Sequence, residues 1–305
     1  MRTLFVVNAA AGHGRGLRRF EAAARDLPQE GWAMEPTRGP GDAGRLAREG
    51  LERGFSRVVA VGGDGTVGEA LNGFMAAAPG LREKAALGTW PAGSGCDLAR
   101  HLGLRGDAAA LRALLSARPR PLDAGFVEFR GQDGARESRW FLNVTSFCVA
   151  GEIAQRMKTG GKPLGGTLSY LVSSLAALMT TPARELELVV DGQPLARARF
   201  HLVTVANTST TGGGMKIAPG ADAEDGKLDL VTVGDMSRAR LLRSFSAVYR
   251  GEHLSVPGVS HRLAGTVEAS APGSEDAYLN IDGEAVGLLP AKFTVRPKAV
   301  PFLLP

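Results

Sequence analysis

Apolar residues fall along the first part of the chain in two alternating rhythms. Short, mostly apolar runs stand at 4–7, 57–61 and 87–90, and between them apolar positions recur at helical spacing. Leu17, Phe20, Ala24 and Leu27 form one such series; Val67, Ala70, Leu71, Phe74 and Met75 form a cleaner one at i, i+3, i+4, i+7 and i+8. A further short helix is expected at 97–102. Short buried strands alternating with amphipathic helices predict a layered α/β domain with a largely parallel sheet.

Beyond Pro119 and Pro121 the rhythm changes to alternating, β-branched and aromatic stretches at 126–129, 140–145, 185–190, 199–205 and 228–233. These predict antiparallel strands. Asp191-Gly192 and Asp282-Gly283 each carry the two-residue hairpin signal. Helices are expected at 166–179 and 237–249. The change of rhythm puts a boundary near Leu122, giving domains 1–122 and 123–305, with the last strand a candidate to return to the first domain. A chain of 305 residues is long enough for two domains with their own cores.

Composition narrows the chemistry. The two cysteines, Cys96 and Cys148, form no CxxC pair, so neither a disulfide framework nor a zinc knuckle is expected and a reducing, cytoplasmic setting fits best. Lys plus Arg number 36 against 31 Asp plus Glu, a formal +5 compatible with phosphates or an anionic membrane but also ordinary. Nucleic acid is not expected as a partner. The opening residues are too short an apolar run for a secretion signal. The longest mostly apolar stretch, 168–179, holds three serines and falls short of the ~20 residues that span a bilayer, so no integral membrane segment is expected.

The strongest local signal is VVAVGGDGTVGEALNG at 58–73. Gly62, Gly63 and Gly65 let backbone amides approach an anion without Cβ clashes, and the following helix N-terminus adds partial positive charge. Phosphate is the natural guest. Asp64 would repel a bare phosphate, so a divalent cation or a proton-transfer duty would explain it; a simple chain reversal is the plainer alternative. NAAAGHGRG at 8–16 and PAGSGCDLAR at 91–100 also follow the carboxyl ends of strands, where open α/β sheets bind ligands. Asn8, Thr66 and Ser94 offer hydrogen-bonding groups, and Arg15 or Arg100 positive charge. No two of the five histidines stand at i, i+4, and only His101 has a carboxylate at that spacing, Asp97, which leaves a zinc site or a Ser-His-Asp triad with little support.

With GGDGTVGEALNG at 62–73, PAGSGCDLAR at 91–100, IAPGADAEDGKLDL at 217–230 and IDGE at 281–284, the chain resembles the diacylglycerol kinase catalytic-domain superfamily, which includes bacterial lipid kinases and sphingosine kinases. The resemblance implies an α/β N-terminal domain with Gly-rich phosphate loops, a β-rich, antiparallel, sandwich-like C-terminal domain, and an active site in the cleft between them. It implies ATP as donor and Mg²⁺ as metal. Carried over by position, Asn8, Gly62, Gly63, Asp64, Gly65, Thr66, Glu69, Gly93 and Ser94 would serve the nucleotide, with Thr37 in TRGPGDA resembling a TxxxGDA segment. Asp222, Asp225 and the carbonyl of Lys227 would hold a structural Mg²⁺; an acidic turn is the plainer alternative. Glu284 would accept the proton, with Asp282 and Asp64 as competitors. Departures stand at Asn8-Ala9-Ala10-Ala11-Gly12, where the family has NPxSG, and at Gly93-Ser94-Gly95-Cys96-Asp97, where it has GTGND; Cys96 replaces an amide with a poor hydrogen-bonding group.

The expectation is an ATP-dependent kinase for a diacylglycerol-like lipid, cytoplasmic and peripheral at the membrane surface, with an oligomer left open. Two alternatives stand beside it. One is an NAD kinase-like enzyme, which shares GGDGT, although no later Gly-Ser/Thr-rich segment resembles that family's second motif. The other is a nucleotide- or lipid-binding member of the fold without turnover.

Overall fold

The computed structural model describes residues 2–93, 95–153, 176–178, 180–273 and 277–305. They group into two compact units, Met1–Leu122 with Lys298–Pro305, and Asp123–Pro297.

The first unit is built on parallel strands β1 (Thr3–Val7), β2 (Trp32–Pro36), β3 (Arg57–Gly62) and β4 (Ala86–Pro91) in the order β2-β1-β3-β4. The chain's last residues return here, where Phe302 pairs in parallel with Leu87. Leu4 to Val7 and Val58 to Val61 are fully buried, which is why they read as unbroken apolar runs: helices cover both faces of a parallel sheet. The helical segments are α1 (Ala11–Gly14), α2 (Gly16–Ala24), α3 (Asp42–Glu52), α4 (Asp64–Ala76), α5 (Pro79–Arg82), α6 (Asp97–His101) and α7 (Ala108–Ser116). Phe5, Phe20, Trp32 and Trp90 meet in tilted and edge-to-face contacts with centroids 5.1–6.3 Å apart. Arg57, at 7% exposure, turns its guanidinium onto the carbonyls of Leu114, Leu115 and Ala117, the C-terminal end of α7 that would otherwise lack donors.

The second unit is antiparallel. Its strands are β5 (Arg118–Gly131, entering at Asp123), β6 (Arg136–Phe141), β7 (Val144–Cys148), β8 (Arg184–Val190), β9 (Gln193–Ala206), β10 (Leu228–Gly234), β11 (Val259–Ala264), β12 (Thr266–Ser270), β13 (Tyr278–Ile281) and β14 (Glu284–Leu304). Helix α8 (Arg238–Val248) is its longest described helix. Phe147 and Phe293 stack at 6.0 Å in its core. Both expected hairpins form with two-residue turns and positive φ at both central residues: Asp191 (49°) and Gly192 (77°) link β8 to β9, Asp282 (49°) and Gly283 (93°) link β13 to β14. The single strand expected at 140–145 is instead broken. The carbonyl of Leu142 accepts from Asn207 Nδ2 and that of Asn143 from the amide of Asn207, so the backbone leaves the ladder between β6 and β7. The helix expected at 166–179 lies outside the described residues apart from 176–178, which are helical.

Candidate active site

Strands β1, β3 and β4 are neighbours and parallel, so the loops leaving their carboxyl ends lie side by side. Their backbones touch. A Cβ on Gly93 would meet Cα of Gly63 at 2.6 Å, and a Cβ on Gly12 would meet the Ala92 carbonyl oxygen at 2.7 Å. Side chains complete the junction: Asn8 Nδ2 donates to Thr66 Oγ1 at 2.9 Å, and Asn8 Oδ1 accepts from the Ala10 amide at 3.0 Å. Thr37 enters through its backbone, its amide donating to the Val7 carbonyl at 2.8 Å. The structure thus brings together Asn8, Gly62, Gly63, Thr66 and Gly93, beside the Gly12 turn and the N-terminus of the thirteen-residue α4. Ser94 lies outside the described residues.

Asp64 and Glu69 bind the protein's own backbone. Asp64 Oδ2 accepts from the amide of Asp97 at 2.8 Å and Oδ1 from that of Leu98 at 3.0 Å, so the carboxylate ties the β3 loop to the first turn of α6. Glu69 Oε2 accepts from the Ala43 amide at 3.2 Å, at the start of α3. Cys96 sits between these loops with φ +52°, a conformation that Asn adopts more readily than Cys. Burial, with the negative charge of Asp64 nearby, pushes its thiol up to about 11.

In the second unit the Asp282-Gly283 turn is fastened on both sides: the Asp282 amide donates to the Val144 carbonyl and its Oδ1 accepts from the Val144 amide, each at 3.0 Å. Glu284 begins β14, is 46% exposed, and its Oε2 lies 2.9 Å from Arg139 Nη1. Arg139 is a partner that the sequence did not announce, because it comes from β6, more than a hundred residues away.

The acidic loop at 222–227 is organised by Asp123. This residue is fully buried; its Oδ2 accepts from the Gly226 amide at 2.6 Å, and its own amide donates to the Ala223 carbonyl at 2.7 Å. Asp222 Oδ1 accepts from the Glu224 amide and Asp225 Oδ1 from that of Lys227, two Asx turns. Asp229 is raised above the usual carboxylate range by burial and by the charges of Asp225 and Asp222, although His261 Nε2 lies 2.6 Å from its Oδ1. Negative charge therefore collects at this loop. Among the described residues no three His, Cys, Asp or Glu side chains cluster at metal-ligand spacing. Two carboxylates and a carbonyl nevertheless suit Mg²⁺, which keeps several waters and uses only one or two carboxylates.

A parallel α/β unit whose three Gly-rich loops converge, followed by an antiparallel β unit, defines a class of phosphate-handling two-domain folds. Comparison narrows it. The diacylglycerol kinase catalytic domain model matches residues 2–127, and the model described as the YegS C-terminal NAD kinase beta sandwich-like domain matches residues 147–304. The chain is 31% identical to a diacylglycerol kinase of Mycobacterium tuberculosis, over 98% of this chain and 94% of that one. It is 30% identical to a diacylglycerol kinase of Bacillus subtilis, over 91% and 85%. A crystal structure of a diacylglycerol kinase from Bacillus anthracis shares the fold, with a TM-score of 0.70 at 20% identity over 100% of this chain and 97% of that one. The chain belongs to the diacylglycerol kinase family, as its four motifs implied. NAD kinase-like proteins are more distant: a crystal structure of yeast NADH kinase shares the fold with a TM-score of 0.52 at 10% identity, over 99% of this chain and 82% of that one.

Proposed function

We propose that this protein is an ATP-dependent lipid kinase that phosphorylates a hydroxyl of a diacylglycerol-like lipid, in the cytoplasm and at the membrane surface. The observation that carries the reading is the convergence of three Gly-rich loops on the carboxyl ends of β1, β3 and β4, with Gly93 packed on Gly63 so closely that only hydrogen fits. Amides of 62–65 and 93 would cradle nucleotide phosphates, helped by the α4 N-terminus. Thr66, fixed by Asn8, would present its hydroxyl there, and Asp64 would hold the loops in register through its bonds to 97 and 98. Bound ATP supplies the phosphoryl group. Phosphoryl transfer asks mainly for positioning and charge compensation, which suits a site made largely of backbone.

Glu284 would accept the proton of the lipid hydroxyl, oriented by Arg139; Asp282 and Asp64 are the competing acceptors. Asp222, Asp225 and the Lys227 carbonyl would hold Mg²⁺, which there pins the loop that Asp123 supports. A second reading, binding without turnover, draws on the Arg139–Glu284 pair and on the backbone bonds that engage Asp64. Incubation with γ-labelled ATP and a panel of lipids separates the two: label extracted into diacylglycerol supports the kinase, and nucleotide binding with no labelled lipid supports the second reading.

A further inference from the structure

Helix α8 presents two different faces. Leu241, Ser244, Phe245 and Val248 line an apolar cavity of about 100 Å³ in the second unit. The exposed side next to that face carries Leu242, Ser246 and Tyr249 as an i, i+4, i+7 stripe, with Tyr249 edge-on against Phe245 at 6.2 Å, and beside it Ala239, Arg243 and Arg250. Leu242 and Tyr249 are 39% and 41% exposed, two of the four large exposed apolar side chains among the described residues. Arg250 pairs with Glu252, whereas Arg240 and Arg243 have no acidic partner among the described residues. An apolar stripe bordered by uncompensated arginines is the composition of a helix that lies in the plane of an anionic membrane.

We propose that the outer face of α8 is the surface by which this protein docks on an anionic lipid bilayer. Leu242 and Tyr249 enter the headgroup boundary, and Arg240 and Arg243 lie against lipid phosphates. A protein partner would have to supply acidic groups in register with a stripe only two apolar residues long; a bilayer supplies both features without register. The inference rests on the lipid-kinase reading for the importance of docking, but not for its measurement.

The test is co-sedimentation with sucrose-loaded vesicles, in the absence of nucleotide, for wild type, Arg240→Glu/Arg243→Glu and Leu242→Ala/Tyr249→Ala. Leu81→Ala, another exposed leucine, serves as control, and a thermal melt verifies folding of each. Wild type should bind vesicles of phosphatidylcholine with 30% phosphatidylglycerol and release in high salt, since the charge attraction is screened. At about 1 kcal/mol per basic residue, removing two such contacts lowers partitioning at least roughly 30-fold in the arginine variant. The apolar variant should lose about tenfold and the control nothing. Equal binding by folded wild type and both double variants, or no binding by any of them, overturns the proposal. Vesicle binding through this face by a chain that phosphorylates no lipid would support the docking surface while refuting the kinase reading.

Discussion

Replacing Asp64 with Asn tests what this carboxylate does. The side chain keeps its shape and one acceptor oxygen, but an NH₂ now faces one of the two backbone donors at 97 and 98, which lie 2.8 and 3.0 Å from the native oxygens. One charge-assisted hydrogen bond is lost, worth about 1.5–3 kcal/mol. Removing negative charge from the first turn of α6 costs about 0.3–1 kcal/mol more. The sum, roughly 2–4 kcal/mol, corresponds to a Tm lower by about 4–16 °C for a protein of this size class. Asp64→Ala, which loses both bonds, should fall further. Because the β3 and β4 loops are no longer tied, KM for ATP should rise along with any fall in kcat. Differential scanning calorimetry and initial rates on the same preparations read both effects. A Tm for Asp64→Asn within about 1 °C of wild type, with turnover abolished, would refute the positioning role and return Asp64 to the chemistry.

Arg57→Met leaves two buried carbonyls and a part-buried one at the end of α7 without their donor and should cost about 3 kcal/mol, read by urea denaturation, because removing one side of a buried polar network exposes the full desolvation penalty of the other. Asp225→Ala should lower Tm in Mg²⁺ and make it insensitive to EDTA, whereas the wild-type Tm should drop on chelation as a ligand of the folded state is withdrawn. Identical wild-type melts in Mg²⁺ and EDTA would count against a bound metal. Glu284→Gln should lower kcat by about 10²- to 10⁴-fold with little change in KM for ATP. Its pair with Arg139 is partly exposed and worth about 1 kcal/mol, so Tm should move little.

What the sequence disclosed follows from which forces leave a local trace. Strands buried on both faces, such as 4–7 and 58–61, must be apolar throughout, and their loops must contain glycine where Gly93 meets Gly63; both signatures sit in contiguous residues. The hairpins at 191 and 282 were legible for the same reason, since positive φ at two adjacent positions favours Asp-Gly. Strand β2 left no such mark: it lies at the sheet edge with every residue at least partly exposed, so WAMEP shows neither a run nor an alternation. Helix α3 was likewise passed over, because its buried face is built of Ala43, Ala47 and Gly50 beside Leu46 and Leu51. The interruption between β6 and β7 depends on Asn207, sixty-odd residues further on. At the site, motifs named the residues but not their partners. Asp64 with 97 and 98, Glu69 with 43, Glu284 with Arg139 and the acidic loop with Asp123 are all pairings across the fold, which no spacing within a motif can encode.

The central claim joins a packing detail to an activity, and one measurement addresses both: transfer of label from γ-labelled ATP to diacylglycerol by wild type and Gly93→Ala, assayed side by side. The added methyl would lie 2.6 Å from Cα and 2.9 Å from the backbone nitrogen of Gly63, so the β3 and β4 loops must part. The account predicts labelled phosphorylated lipid with the wild type and a loss of at least about 10²-fold with Gly93→Ala, since misplacement by about 1 Å costs that much in a reaction governed by positioning. Wild-type protein that labels no lipid, or a variant that labels it equally well, would contradict the account.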